Sequence, residues 1–545
     1  MDYTAIHLQK EALTPLYQQI ANQIKLAVEQ GDLQPGEKLP PIRKLANTLG
    51  VSPITVTQAY ETLAEQGVAG GQVGRGTFIL PPQKVSHALS YPLTPQLSSS
   101  YIAEEIMPYA STEEPREGWT ANLRPRGRTP RAALLQQLFQ QVTRGKPAHT
   151  LINFSSGNPD SSLFSLAHWQ QIMAQAGVSL EQDSQRPAAL TAFEYGSALG
   201  DYALRSFLTT YLPRFGLQIT IDNLLLTSGT QQGLDLVART FLAPGDSIFV
   251  EQFSYIAALD IFEQYGVHVQ PVPQDEHGIQ VEALERLLNA PQNRPRLLYT
   301  IPTGQSPTGT CMTVERRRRL AELATTYNLL LIEDDPFNEL YYEQDTPPPA
   351  IWSFASDGRV IYLKSFSKTT FPAVRLGCIV AAPEVLAYLV EKKELVDRGT
   401  SLLVARAILA YISSPAYERN VEQIRDVYRQ RRDVMLTALE RELAPLGCHW
   451  SHPTGGFNLL LTLPAGLNEM EVVEEAVVHG ALVAPGRFFT PAPTSERDHT
   501  LRLTFANKPP EQLEEAARRL ALALHTLLQR GGHSTYPPRS FTTDV

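Results

Sequence analysis

Three cysteines in 545 residues, Cys311, Cys378 and Cys448, are too few and too widely separated for a disulfide framework or a cysteine-rich zinc site. Each reads as a small buried hydrophobe or an idle thiol. No stretch of about 18 uncharged apolar residues occurs, which excludes a membrane-spanning helix. The opening MDYTAIHLQKEALTPLYQQI has neither a continuous apolar run nor a small-residue cleavage signal, so a cytoplasmic protein is expected. Basic excess is also missing: 47 Lys and Arg against 56 Asp and Glu leave a net charge of −9. Long cationic tails for wrapping nucleic acid are thereby excluded, though a local DNA-reading module is not. Histidines His449 and His452 lack acidic neighbours, and no histidine–carboxylate cluster has metal-ligand spacing, so no metal is expected.

What is present divides the chain. Residues 14–80 read as a compact module. Leu16, Ile20, Ile24, Ala27 and Val28 recur at helical spacing, and Gly31 ends that helix. A second helix starts near Pro41 and is broken by Gly50. Ser52 caps a third, with Pro53 in its first turn and Val56, Ala59, Tyr60 and Leu63 facing inward. The glycine-rich stretch from Gly67 to Leu80 reads as a hairpin with its tip at Gly74-Arg75-Gly76. Two close helices followed by a hairpin outline a winged helix-turn-helix.

Residues 82–130 are rich in Pro, Ser and scattered charge without a sustained period, as a linker is, with a short helix at Ile102–Met107. From 131 to 530, strand-like runs at Leu224–Thr227, Ser247–Glu251, Arg296–Thr300, Leu329–Glu333, Val360–Leu363 and Gly377–Val380 alternate with helices such as Gln231–Phe241 and Val314–Tyr327. That alternation predicts a mostly parallel sheet covered by helices. Beyond Asp397 come long helices and short strands near Phe457–Leu463 and Leu501–Phe505, a smaller α+β domain. Residues 531–545 read as a loose tail. The run Arg316–Arg319 is expected to be a solvated helix face.

Three features of the large domain carry chemistry. Ser228-Gly229-Thr230-Gln231 follows a strand and opens a helix, which is where backbone N–H groups meet an anion. Glu333-Asp334-Asp335 ends an apolar strand, where ligands bind. Ser365-Phe366-Ser367-Lys368, with Arg375 seven residues on, places a lysine able to form an imine beside groups able to grip phosphate. Phosphate cradle, acid, lysine and arginine in this order describe a pyridoxal phosphate site.

The chain from about 150 to 528 resembles the fold type I, aspartate aminotransferase-like enzymes. The resemblance is carried by YGSALGDYALRSFL from Tyr195, TSGTQQGLD from Thr227, TGQSPTG from Thr303, IEDDPF from Ile332 and SFSKTTFPAVRLG from Ser365. It implies that Lys368 is the Schiff-base lysine and that Asp334 partners the pyridine nitrogen. Gly229, Thr230, Ser365, Ser367 and Arg375 would surround the phosphate, and Tyr255 would stack on the ring. Tyr195 would reach the phosphate of the opposite subunit, which implies a homodimer. Arg502 would receive a substrate or effector carboxylate. Two positions depart from the family: Ser306 stands where an asparagine usually meets the cofactor's 3-oxygen, and Phe337 near where a tyrosine is expected. Residues 15–80 resemble the GntR-type winged helix-turn-helix. That likeness implies Arg43 and Lys44 toward phosphates, Thr55, Thr57 and Gln58 on the recognition helix, and Arg75 on the wing. Residues 1–82 hold six basic and seven acidic residues, so little electrostatic reserve is expected for DNA.

Winged helix, linker and aminotransferase-like domain in that order are similar to the MocR-type regulators. The resemblance implies a pyridoxal phosphate-dependent transcriptional regulator that binds a double-stranded DNA operator as a dimer. It would sense an amine or amino-acid effector by aldimine exchange at Lys368. The competing expectation is a working aminotransferase with a retained winged-helix module.

Overall fold

A computed structural model describes residues 15–29, 32–65, 68–72, 76–80, 130–147, 150–184, 194–344, 346–370, 372–491 and 499–530, with isolated residues 3, 6 and 8. The expected linker, its short helix, the wing tip with Arg75, and the C-terminal tail lie outside the described residues. The chain divides into two compact units, Met1–Ser98 and Ser99–Val545.

The first unit contains helices α1 (Leu16–Glu29), α2 (Ile42–Leu49) and α3 (Pro53–Glu65), then strands β1 (Ala69–Gln72) and β2 (Gly76–Ile79). The strands pair antiparallel, from Ala69 with Ile79 to Gln72 with Gly76. Ile20, Ile24, Leu45, Val56, Ala59, Leu63 and Ile79 share one buried core. Gly50 takes a left-handed φ of 63° and returns its N–H to the Ala46 carbonyl, the local geometry that stops α2. The Tyr60 hydroxyl donates to the Pro40 carbonyl at 2.7 Å, fastening α3 to the turn before α2.

The second unit opens with α4 (Arg131–Val142). Its large sheet comprises β3 (Leu224–Thr227), β4 (Ser247–Glu251), β5 (His268–Val272), β6 (Pro295–Thr300), β7 (Leu330–Asp335), β8 (Val360–Ser365) and β9 (Gly377–Val380). Their order is β3-β9-β8-β7-β6-β4-β5, and only β9 runs against the others. Six carboxyl ends therefore share one edge. Near-complete burial of Leu224–Thr227, Val360–Ser365 and Gly377–Val380 follows from helices on both faces. The helices that follow α4 are α5 (Leu166–Ser184), α6 (Tyr202–Tyr211), α7 (Thr230–Phe241), α8 (Ile256–Gln264), α9 (Val281–Asn289), α10 (Val314–Thr326), α11 (Pro383–Val396) and α12 (Leu402–Ile412), with α14 (Glu469–Val478) later in the chain.

A four-stranded sheet forms the smaller domain: β10 (His449–Trp450), β11 (Asn458–Thr462), β12 (Ala484–Pro485) and β13 (Thr500–Thr504), in the order β10-β11-β13-β12. Its core includes Leu459, Leu461, Leu501 and Leu503 with residues of α13 (Pro415–Glu442) and α15 (Pro510–Gln529). The expectation for the Arg316–Arg319 run needs correction. Arg317 is fully buried, 3.8 Å from Glu333, and donates to the carbonyls of Pro302 and Met312. The helical turn carries it inward while Arg316 pairs with Asp275 and Arg319 with Glu285. Among the described residues, no helix is long and apolar enough to cross a membrane, and no acidic, histidine or cysteine cluster is placed to hold a metal ion.

Candidate functional site

At the shared carboxyl edge, a cavity of about 240 Å³ is lined by Thr230, Tyr255, Ser306, Asp334, Ser365, Ser367, Lys368, Arg375 and Arg502. Residues separated by as many as 272 positions thus meet because strand ends and their following loops converge there. Gly229 borders the same corner. As N-cap of α7 it holds φ 79°, and a Cβ there would come within 2.7 Å of Arg375 Nη2. The positive φ favours glycine here, and a side chain would also displace the Arg375 guanidinium. Arg375 itself sits at φ 45° and its Nη2 lies 3.4 Å from the Ser228 carbonyl.

Strand alternation explains why one carboxylate of three serves this cavity. Glu333 points to the other face, accepting from the backbone N–H groups of Ile351 and Trp352. Asp335 accepts from the Tyr362 hydroxyl at 3.1 Å. Asp334 faces the cavity: Oδ2 accepts from the Tyr299 hydroxyl at 2.8 Å, and Oδ1 has no hydrogen-bond partner among the described residues. Burial raises its pKa to about 7, with Asp335 adding to the shift while Tyr299 and Lys368 oppose it.

Lys368 is partly buried, and its Nζ donates to the Gly157 carbonyl at 3.3 Å. Burial and then the positive field of Arg502 lower its pKa to about 8, against the pull of Asp334. The ammonium lies 5.8 Å from the Phe337 ring centre and 5.6 Å from that of Phe457. Phe337 belongs to the small-domain core and meets Phe457 edge-on at 5.1 Å. Its apolar ring is a packing element at the site's wall.

Arg502 projects from β13, its Nη2 bonded to the Ser155 carbonyl, with burial lowering its pKa to about 10. Tyr255, as N-cap of α8, has its hydroxyl pKa raised by burial. Tyr195 is not among the lining residues; it is 80% exposed, with the Arg398 guanidinium 5.6 Å from its ring centre. The sequence reading missed Tyr299, Asn458 and the roof segment Ser155–Asn158. Tyr299 meets Asp334 because its strand lies beside β7, and strand order cannot be read from one sequence, so the sequence carried no cue to it.

In the first unit Arg43 and Lys44 are exposed on α2. Ser52 caps α3 as expected, accepting from the Thr55 N–H at 3.2 Å, and its hydroxyl also meets Thr55 Oγ1 at 2.8 Å. Thr57 Oγ1 donates to the Pro53 carbonyl, so both threonine hydroxyls have local partners. Gln58 is exposed one turn beyond Ile54, which is 70% exposed.

The mixed sheet, the anion-type helix start and the buried lysine–aspartate couple define an aminotransferase-like domain of fold type I. The family described as aminotransferase class I and II matches residues 149–520, and that of bacterial regulatory proteins of the gntR family matches residues 16–79. The chain belongs to the GntR/MocR-type regulators, in which a helix-turn-helix is fused to a pyridoxal phosphate aminotransferase-like domain. It is 27% identical over 516 residues to the HTH-type transcriptional regulator YdfD of Bacillus subtilis, covering 95% of this chain and 98% of that one. It is 37% identical over 339 residues to aromatic-amino-acid aminotransferase 1 of Thermococcus litoralis, covering 61% and 80%. The crystal structure of LysN, an α-aminoadipate aminotransferase of Thermus thermophilus complexed with N-(5′-phosphopyridoxyl)-L-leucine, aligns with a TM-score of 0.63 and 30% identity. That alignment covers 72% of this chain and 95% of LysN.

Proposed function

We propose that this protein regulates transcription by reading an amine or amino acid at a pyridoxal phosphate held beside Lys368, and by transmitting that state to paired winged helices on DNA. One observation carries the reading: a partly buried Lys368 beside a buried Asp334, one of whose oxygens has no partner among the described residues, lies on the same chain as a helix-turn-helix. The cofactor is pyridoxal phosphate, and the residues fit it. A side chain at Gly229 would crowd the Arg375 guanidinium at a backbone angle that favours glycine, Thr230, Ser365, Ser367 and Arg375 form a donor set suited to a phosphate, and Asp334 Oδ1 has no donor among the described residues.

Pyridoxal phosphate supplies an aldehyde for amines and a ring that withdraws electrons when its nitrogen is protonated. Asp334 would hold the proton at that nitrogen, with Tyr299 fixing its second oxygen. Lys368, its ammonium disfavoured by burial, presents a neutral amine at accessible pH. Tyr255 would cover the ring face. Arg502 would exchange the Ser155 carbonyl for a ligand carboxylate, a stronger acceptor. Ser306 offers a hydroxyl where relatives have an amide, and Phe337 offers no donor. Ligand exchange would therefore outpace amino-group turnover.

A homodimer would bring Tyr195 of each subunit toward its neighbour's phosphate and present two winged helices to paired half-sites. Arg43, Lys44 and Arg75 would meet phosphates, while Gln58, Thr55 and Thr57 would lie against the major groove. The working boundaries are 1–81 for the DNA-binding domain, 82–130 for the linker, 131–530 for the sensor and 531–545 for the tail. A protein reading DNA operators would work in the cytoplasm.

The second reading, a working aminotransferase, is favoured by the likeness to the Thermococcus litoralis enzyme. The test is a selection from genomic DNA with the cofactor-loaded dimer, with and without candidate amines, beside a turnover assay with a keto acid. Amine-dependent enrichment of a paired site with slow turnover is expected. Rapid turnover with no enriched sequence in either state would overturn the regulator and leave the enzyme.

A further inference from the structure

Asn458 begins β11 in a run that otherwise reads Leu-Leu-Leu-Thr, and it is 3% exposed. An amide in an apolar strand is costly unless both ends are satisfied. Its Oδ1 is buried without a hydrogen-bond partner among the described residues, and the side chain lines the cavity that holds Lys368 and Arg502.

The strand register fixes where this amide points. Leu460 pairs with Arg502 and Asn458 with Thr504 across the antiparallel β11–β13 ladder. Directly opposed residues share a face, and so do residues two apart, which puts Asn458 and Arg502 on one face as diagonal neighbours. Gly157 confirms the proximity: a Cβ there would lie 3.3 Å from Arg502 Nη1 and 3.7 Å from Asn458 Oδ1. Beneath Gly157, then, a guanidinium and an amide oxygen stand side by side. Arg502 Nε is likewise buried without a partner among the described residues. Of the other lining cations, Lys368 and Arg375 are taken up by the proposed cofactor, and the lining amides Asn158 and Gln231 are uncharged.

We infer that Asn458 is a specificity-determining residue. With Arg502 it selects monocarboxylate amino acids whose side chain carries a neutral hydrogen-bond donor, such as a hydroxyl or a carboxamide. The guanidinium takes the carboxylate and the amide oxygen takes the side-chain donor. A ligand of the same shape without a donor leaves Oδ1 buried and unpaired, which is the larger cost. A second carboxylate would face an acceptor oxygen and find no second free cation among the lining residues. The inference rests on the proposed amine-sensing reading for the site's occupant, but its test does not need the covalent step.

Dissociation constants of glutamine, methionine and glutamate are measured by calorimetry on the full-length, cofactor-loaded protein, with the visible spectrum recorded in parallel. Glutamine and methionine are nearly isosteric and differ in the donor. Wild-type protein should prefer glutamine over methionine and over glutamate by about tenfold or more, the worth of one buried hydrogen bond. Asn458→Leu should abolish or reverse the glutamine preference while keeping cofactor content and spectrum. Asn458→Asp, which keeps an acceptor at the same place, should retain it. A preference untouched by Asn458→Leu, or affinities that fall equally for all three ligands, overturns the inference. Donor-selective binding that leaves the spectrum unchanged supports Asn458 and overturns sensing through Lys368. Binding of none of the three overturns both.

Discussion

Replacing Asp334 by Asn should have opposite effects with and without the cofactor, and the sign without it depends on pH. In the cofactor-free protein the carboxyl group is buried, with one oxygen unpartnered, and its pKa rises from the ordinary 3.8 to about 7. At about 1.4 kcal/mol per pH unit, that displacement corresponds to about 4 kcal/mol of penalty on the ionised form. A raised carboxyl pKa means that the folded state holds its proton longer than the unfolded state. The penalty is therefore absent only well below the unfolded value of 3.8, grows as pH rises from there toward 7, and is complete above it. Asn carries no charge at any of these values and can still accept from the Tyr299 hydroxyl. Asp334→Asn should thus stabilise the cofactor-free protein by about 2 to 4 kcal/mol at pH 8, allowing for local relaxation, and by about 1 kcal/mol or less at pH 4.5. Urea denaturation at the two pH values reads this difference. With pyridoxal phosphate bound the sign should reverse. A neutral amide holds a protonated ring nitrogen less well than a carboxylate, so cofactor retention should fall by about 10- to 100-fold, the worth of a hydrogen bond to a charged group. A stability change equal at both pH values, or unchanged cofactor retention, would refute the placement of Asp334 as an ionisable partner facing the cavity.

Lys368→Ala should fold, lose the visible absorption of the covalently held cofactor, and yield no pyridoxyl-modified peptide after borohydride; modification at another lysine would sink the assignment. Gly229→Ala sets a Cβ 2.7 Å from Arg375 Nη2 at a φ of 79°, so phosphate retention measured by dialysis should fall by tenfold or more, with about 1 to 3 kcal/mol of backbone strain. Arg43→Ala should weaken all DNA sequences alike and lower the salt slope by about one, whereas Gln58→Ala should mainly reduce discrimination between sequences. Competition binding at two salt concentrations separates these outcomes.

Much of this architecture was legible before any coordinates. Strand runs such as Leu224–Thr227 and Val360–Leu363 are apolar throughout because helices cover both faces of the sheet, and burial of that kind leaves a plain signal. Lys368, Asp334 and Arg375 were legible because each sits at a strand end or in the loop after one, where a polar residue interrupts an apolar run. Asn458 was not, because a single amide at the head of Asn-Leu-Leu-Leu-Thr looks like a strand boundary. Its meaning comes from Arg502 on the neighbouring strand, a pairing that local sequence does not contain. Arg317 escaped for a related reason. Four consecutive arginines look solvated until α10 is seen packed against β7, where one of them turns inward to Glu333. Tyr195 shows the limit of a single chain, since the role implied for it needs a second subunit.

The entrance to the second unit has a mechanical side. The N–H groups of Arg131 and Ala132, at the first turn of α4, are gripped by the Asp260 carboxylate at 2.7 and 3.0 Å. The Arg131 guanidinium holds both carboxylate oxygens of Glu263 with its two arms, and Nη2 also reaches the Pro491 carbonyl at 3.3 Å, while Leu135 and Leu138 of α4 share a core with the small domain's Phe489. Asp260 and Glu263 both belong to α8, whose first turn begins at Tyr255. Helix α4 is thus riveted to the helix that carries the candidate ring-stacking tyrosine, and leans at once on the domain that carries Arg502. A pull on the chain at Pro130 would be borne by α8, and any shift of the small domain would move the ground on which α4 rests.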